Sequence, residues 1–450
     1  MSLKKSCKNT SKTVARQTYK EFGGRIARHQ YSGFIVKLCI SLYERGGCSL
    51  RSVVKVLEII NEFSDNSLGK VPCFNSIKNW ILKCGLNTYN NVSKNLSGEN
   101  YAVVIDESMM IGSCKSLLTL AIPAKHHGKP ISHADTMIIG INNSDSFNGE
   151  SVGDCLMKSV ERIGHKPQYV ICDNDHKIIN GVKSTGIRYH LDITHSLGMF
   201  LERTYKTEDD FINFTKQMSL AQFKYNMRKE AYLLPPRQRT ISRFINLDNW
   251  VKWASRVLEK YHILSKSEQE MLFFIPQSAS FINEMTEVMT CIRHIESICK
   301  YHGLSKDTAQ VCIKIVLDSL MGQTERMRAL GTSIIHYITN EVRWLDKEDC
   351  HNNSTDIIES VFGIFKSKKS PNKLYGVTSY ILSLVSRPAF SNRRTTKKVD
   401  IKLHLETVKM KHISKWRSEN IPQNLVTKRI KVLASYFFLN KILYTLPVRA

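Results

Sequence analysis

The hydrophobic period of the chain changes near residue 100, and this change constrains the fold more than any other feature. Three apolar runs with the pattern of β-strands follow, at 101–105, 116–122 and 136–141. After them come a predicted amphipathic helix, a strand, a short helix and a strand, at 149–163, 168–172, 176–182 and 187–191. A meander of three strands followed by alternating helices and strands predicts an α/β fold with a mixed five-stranded sheet.

The next 150 residues have a helical period almost throughout, as in 249–262, 280–302 and 308–320. Because the alternation of strands does not return, we predict an all-helical insertion within the α/β domain. A helix at 355–367 would bring the chain back to that domain, and weaker helices follow in a basic tail. The predicted regions are an N-terminal region at 1–98, the first part of the α/β domain at 99–195, the insertion at 196–350, the returning helix at 351–370 and a basic C-terminal region at 371–450.

The N-terminal region reads as three helices, at 32–45, 49–63 and 74–83, with Gly85 expected to end the third. The third helix carries a tryptophan on its inner side, and Lys78, Asn79 and Lys83 on its predicted outer side. This arrangement is typical of a helix-turn-helix module, in which those three residues would contact DNA. Small helical bundles that do not bind DNA share the same outline.

Positive charge is concentrated at the two ends of the chain, whose formal net charge is +25. Residues 1–98 contain 16 Lys and Arg against 5 Asp and Glu, and residues 360–450 contain 19 against 3. The centre, 99–359, has 30 against 32 and is almost neutral. Two basic ends around a centre that bears carboxylates favour contact with a polyanion, nucleic acid in particular.

Composition excludes several other classes of protein. With 42% hydrophobic and 23% charged residues, the chain is neither disordered nor collagen-like. Its 12 cysteines form no C-x-x-C pair, so zinc fingers and disulfide scaffolds are disfavoured. No apolar run reaches the roughly 20 residues of a membrane span, and no apolar segment follows the basic N-terminus. We therefore expect a cytoplasmic protein that does not contact membranes, associated with the nucleoid if the source is prokaryotic.

Three carboxylates stand where chemistry would be expected. Asp106 ends the first predicted strand and Asp173 ends the fourth, where a rigid strand can present a side chain to a substrate. Glu359 lies on the helix at 355–367, beside Lys366, which follows two turns later. An apolar stripe should hold this helix against the sheet, and it consists of Ile358, Val361, Phe362 and Phe365.

The segments around these residues, YAVVIDES, YVICDND and IIESVFGIFK, resemble the three-carboxylate (DDE) signature of insertion-sequence transposases with a ribonuclease H-like fold. The order of elements is similar as well: three strands, helix, strand, helix, strand, insertion, helix. The separation from Asp106 to Asp173 is 67 residues, and that from Asp173 to Glu359 is 186. The second is longer than in family members with an uninterrupted core and fits those with an all-helical insertion, so Glu359 is assigned from its segment and not from spacing. The resemblance covers about 100–370 as organisation, and only these segments as sequence.

The resemblance implies cleavage and transfer of DNA strands. Three carboxylates would hold two Mg²⁺ or Mn²⁺ ions, with Asp106 bridging both and Asp173 and Glu359 each holding one. The ions would activate a water or 3′-hydroxyl and stabilise the leaving oxygen at phosphorus. The expected partners are double-stranded DNA, as element ends and target, and further copies of the chain in a synaptic dimer or larger assembly.

The residues leave alternatives open. Asp175 could replace Asp173, Asp192 could be a fourth acidic neighbour or a helix cap, and Glu107 should point away from the site. His190 and His195 lack the partners of a zinc site. At the level of function, the chain could be a transposase-derived DNA-binding regulator without activity, or a ribonuclease H-like nuclease that hydrolyses DNA without joining it.

Further residues are candidates for DNA contact. Arg237, Arg239 and Arg243 form a cluster in the insertion that could contact phosphates. The aromatic side chains that follow them are expected in the core, and they are Trp250, Trp253, Phe273 and Phe274. Lys366 would face the DNA backbone beside Glu359. The tail, which includes Arg393, Arg394, Lys397 and Lys398, would add non-specific binding to DNA.

Overall fold

A computed structural model describes residues 24, 26, 29–108, 111, 114–237, 244, 247–368 and 376–445, with side chains as far as 435. Among the described residues, four α-helices precede the sheet, namely α1 (Gly33–Glu44), α2 (Leu50–Phe63), α3 (Phe74–Asn90) and α4 (Val92–Asn95). The hydroxyls of Ser32 and Ser49 cap α1 and α2 by accepting hydrogen bonds from the N–H groups of Ile35 and Ser52.

The predicted end of α3 at Gly85 is wrong, because the helix continues to Asn90. Gly85 lies in the middle of the helix, against the backbone of the C-terminal region. A Cβ atom at this position would come within 2.1 Å of the carbonyl oxygen of Leu382. Gly85 therefore serves the close approach of two segments and does not interrupt the helix.

The sheet is mixed and has five strands, as predicted. Its strands are β1 (Tyr101–Glu107), β2 (Lys115–Pro123), β3 (Met137–Ser144), β4 (Val170–Cys172) and β5 (Tyr189–Leu191). Their order is β3-β2-β1-β4-β5. The pairs β1–β2 and β2–β3 are antiparallel, and the pairs β1–β4 and β4–β5 are parallel.

Helices cover both faces of the sheet, so that alternate residues of β1 enter two different cores. Val103 and Ile105 pack against α5 (Gly149–Glu161) and α6 (His176–Ser184). Val104 belongs to a second core, on the opposite face. That face is covered by α3, by α15 (Asp356–Ser367), by α16 (Leu382–Phe390) and by α19 (Met410–Asn420). A sheet covered on both sides accounts for the continuous apolar pattern of β1.

The described part of the predicted insertion consists of helices and turns around one core. Its α-helices are α7 (Ile193–Tyr205), α8 (Asp209–Tyr225), α9 (Leu247–Lys260), α10 (Lys266–Met271), α11 (Phe274–Gln277), α12 (Ala279–His302), α13 (Lys306–Leu320) and α14 (Glu325–Val342). Trp250 and Phe274 lie in this core and Trp253 packs against it, as predicted. Phe273 does not, since 46% of it is exposed.

The basic C-terminal region is helical and packs against the N-terminal helices. Besides α16 and α19 it contains α17 (Arg393–Lys398), α18 (Ile401–Thr407) and α20 (Leu425–Thr445). Phe390, Ile401 and Leu405 are buried in the same core as α1, α2 and α3. The described parts of the two basic ends thus share one core. None of the described helices combines the length and apolar character needed to cross a bilayer.

Candidate active site

Asp106 and Asp173 lie side by side at one edge of the sheet. Asp106 is the sixth residue of β1, and Asp173 directly follows β4. These strands are parallel neighbours, with Ile105 paired to Cys172, so the next residue of each strand reaches the same level. The two aspartates, each predicted at the end of its strand, therefore lie at the carboxyl ends of neighbouring strands.

Glu359 approaches this edge from α15. The helix rests on the sheet through the predicted stripe, whose members Ile358, Val361, Phe362 and Phe365 are all buried. Glu359 lies in the first turn, and 54% of its side chain is exposed. The apolar stripe thus fixes the backbone of the helix and leaves the carboxylate open to solvent.

The three carboxylates interact electrostatically. Burial raises the pKa of Asp106 to about 8, with further increases from the charges of Asp173 and Glu359. Burial also raises the pKa of Asp173 and of Glu359. The cluster therefore holds less negative charge than three exposed carboxylates would. A cation placed among them would lower their pKa values and restore that charge.

Other acidic side chains near the site have different partners. Glu107 forms ion pairs with Lys115 and with Lys177, the latter at 3.7 Å, so it does point away from Asp106. Asp175 caps α6 by accepting a hydrogen bond of 2.8 Å from the N–H of Lys177, and does not take the place of Asp173.

Asp192 combines the two roles that the sequence left open. It is the N-cap of α7 and accepts a hydrogen bond of 2.7 Å from the N–H of His195. It is also a fully buried acidic neighbour of the site, with its Oδ1 2.8 Å from Nδ1 of His195. Burial alone would raise the pKa of Asp192, but the hydrogen bonds and charge of His195 hold it below its ordinary value.

His195 connects Asp192 to the cluster, a contact that the sequence analysis missed. Its Nε2 lies 3.5 Å from Oε1 of Glu359. Burial would lower the pKa of His195, but Asp192, Glu359 and Asp173 together raise it to about 9. The sequence signal was the D-x-x-H spacing across the junction between β5 and α7. His190 points elsewhere, towards Glu341, so the two histidines do not share a site.

The donor chemistry of the cluster fits a divalent cation. Three carboxylates offer the oxygen ligands that Mg²⁺ and Mn²⁺ prefer. Burial raises the pKa of Asp106, and the neighbouring charges of Asp173 and Glu359 raise it further. Among the described residues, no three His, Cys, Asp or Glu side chains are already spaced to hold a metal ion. At least one of the three carboxylates would have to change its side-chain conformation for such a site to form.

The predicted DNA contacts differ in their surroundings. Lys78 and Arg237 are exposed, and Asn79 is half-buried. Lys83, predicted on the outer face, instead donates a hydrogen bond of 3.3 Å to the carbonyl of Leu405 in the C-terminal region. Arg239 and Arg243 lie outside the described residues.

Lys366 extends from α15 with its Nζ 5.6 Å from the centre of the Phe362 ring. Burial lowers the pKa of this lysine, while the charges of Asp106 and Glu359 raise it. Lys366 is therefore close enough to the carboxylates for their charges to affect its pKa, as the sequence predicted. It places a cation beside the cluster without forming an ion pair with it.

Together the fold and the site define an α/β protein with a mixed sheet and a cluster of three carboxylates at one sheet edge. No protein-family model matches this sequence, and comparison with curated proteins finds no similar sequence.

Proposed function

We propose that the chain is a DNA transposase that binds the ends of its element and cleaves and joins DNA strands. The observation that carries this proposal is the meeting of Asp106, Asp173 and Glu359 from two strands and a helix that are far apart in sequence. Their charges act on one another at the sheet edge. The order of elements, with an insertion between β5 and α15, resembles that of a ribonuclease H-like transposase core and supports the same proposal.

Asp106, Asp173 and Glu359 would together hold two Mg²⁺ or Mn²⁺ ions. When bound, the ions would supply activation of the attacking oxygen and stabilisation of the leaving oxygen. The protein itself contributes position, because β1, β4 and the apolar stripe of α15 hold the three backbones rigidly. Lys366 would neutralise a phosphate next to the reacting one.

Two features support double-stranded DNA as the partner. The N-terminal and C-terminal regions carry the excess of Lys and Arg, and their described parts share one core. Lys78 is exposed in the first turns of α3, where the helix dipole also favours a phosphate. Joining two element ends would require at least two copies of the chain during the reaction.

The proposal is tested by incubating the full chain with duplexes that carry the sequences flanking its own gene, in the presence of Mg²⁺. Cleaved and joined products are scored beside those of Asp173→Asn. Joining that requires the metal and is lost in the variant would support the transposase. Binding without cleavage would favour the inactive regulator, and cleavage without joining would favour the nuclease; either result would contradict the proposal.

A further inference from the structure

The junction between the sheet and the helical insertion contains a carboxylate that accepts three hydrogen bonds. Asp192 lies between β5 and α7 and is fully buried. Its Oδ1 accepts hydrogen bonds from the backbone N–H and from Nδ1 of His195, at 2.7 and 2.8 Å. Its Oδ2 accepts one from the N–H of Thr355, at 2.7 Å. Capping α7 requires only the first of these three hydrogen bonds.

The bond to Thr355 reaches the helix that carries Glu359. Thr355 directly precedes α15, and its own side chain does not cap that helix. A second bond runs parallel to it, from the N–H of Ile193 to the carbonyl of Asn353, at 3.0 Å. Asp192 therefore anchors the start of α15 from a different element, and this sets the height of Glu359 above the sheet edge.

The bond to His195 fixes the orientation of the imidazole ring. Because a carboxylate with these partners can only accept, Nδ1 of His195 donates to Asp192, and the ring is held with Nε2 directed outward. The atom that Nε2 meets is Oε1 of Glu359, at 3.5 Å. No other cationic side chain of the described residues lies within 4.0 Å of that carboxylate.

We propose that Asp192 and His195 are positioning residues for Glu359: Asp192 anchors the start of α15 and orients the imidazole, and the imidazole holds the carboxylate at the sheet edge that carries Asp106 and Asp173. The inference rests on the proposed function, since it concerns the same metal site. Partners that orient a metal ligand in this manner typically change metal affinity by roughly 10- to 100-fold when they are removed. His195 would thus control how readily Glu359 joins the other two carboxylates.

The experiment measures binding of Mn²⁺ alone to the full chain, by the paramagnetic resonance signal of the free ion, without DNA or turnover. His195→Ala should weaken binding by roughly 10- to 100-fold. His195→Gln should restore most of the affinity, because its amide can donate to Glu359 over a similar reach. His336→Ala is the matched control, since it removes an exposed imidazole of α14 and should bind as the wild type does.

The outcomes separate this inference from the proposed function. If Asp173→Asn loses Mn²⁺ but His195→Ala retains wild-type affinity, Asp192 is only a helix cap, and the inference is overturned while the metal site stands. If the wild type and Asp173→Asn show the same lack of binding, the metal site itself is absent and both proposals fail. Urea unfolding of each variant shows whether a loss of Mn²⁺ affinity comes from a general loss of structure. In that case His195→Gln would not restore the affinity.

Discussion

The rings of His190 and His351 lie at 74° to each other in the interior, with Nε2 of the first 3.1 Å from Nδ1 of the second. The other nitrogen of His190 is 2.6 Å from Oε2 of Glu341, near the end of α14. The ring of His351 stacks on Tyr169, with 4.1 Å between the ring centres. This buried chain of contacts joins the last long helix of the insertion to the sheet.

We expect acid to weaken this junction. Burial, reinforced by His190, lowers the pKa of His351 to about 4, below the value of 6.5 for an exposed histidine. The stability contributed by neutral His351 is therefore fully present above pH 6.5 and is lost as the pH falls from 6.5 through about 4. The loss can reach about 3 kcal/mol. Urea unfolding at pH 7 and pH 5 should show a smaller pH dependence for His351→Gln than for the wild type. An unchanged dependence would exclude His351 as the titrating group, and His336→Gln serves as the control.

Gly85→Ala should destabilise the fold by about 1–3 kcal/mol, because the added methyl would collide with the backbone of Leu382. The matched substitution is Gly363→Ala, also within a helix, where nothing lies within 4 Å of the added atom. The free energy of unfolding of that variant should increase by about 0.5–1 kcal/mol. Chemical denaturation measures both changes. Equal effects of the two substitutions would contradict the close contact between α3 and α16.

Leu405 and Leu403 provide a test of the shared core of the two basic ends. Both lie on α18, but Leu405 is 3% exposed and Leu403 is 54% exposed. Leu405→Ala should lower the free energy of unfolding by roughly 2–4 kcal/mol, whereas Leu403→Ala should change it by no more than about 0.5 kcal/mol. Proteolysis of α1–α3 should accelerate in the first variant only. No acceleration would mean that the N-terminal helices do not depend on the C-terminal region.

Arg326 supports the core of the insertion through Glu284, whose carboxylate it contacts at 2.6 and 2.9 Å. Glu284 also accepts a hydrogen bond from Tyr205, and its side chain is only 9% exposed. Arg326→Met should cost roughly 3 kcal/mol, because it leaves a buried carboxylate without its cation. Lys206→Met, which removes an exposed pair with Glu202, should change unfolding by less than about 1 kcal/mol. Thermal unfolding of both variants checks the difference.

Asp106→Asn should abolish DNA cleavage and leave binding of the flanking duplexes intact. The raised pKa of Asp106 implies that the fold already accommodates the neutral acid, which asparagine closely imitates in shape. Glu107→Gln is the adjacent control and should retain cleavage, because Glu107 pairs with Lys115 away from the cluster. Gel-shift and cleavage assays on the same duplexes measure the two properties. Loss of binding by Asp106→Asn would argue against separate regions for recognition and chemistry.

Local pattern sufficed to predict the strands, the insertion and the helix of Glu359, because each follows from the period of the apolar residues. It failed where distant segments decide the structure. A glycine in a helix reads as an end signal unless its partner Leu382 is known. Lys83 reads as exposed because the carbonyl of Leu405 is more than 300 residues away in sequence. For the same reason the sequence could not reveal that His195 meets Glu359.

The hydrogen bond between Ile193 and Asn353 has a consequence for how such a chain can vary. The polypeptide leaves the α/β domain and returns to it at nearly the same point, so the length of the intervening segment does not affect the strand order. The separation of 186 positions between Asp173 and Glu359 in sequence therefore reflects the inserted segment and not their separation in space. Helices can be gained or lost in the inserted segment while the carboxylates keep their places in the α/β domain.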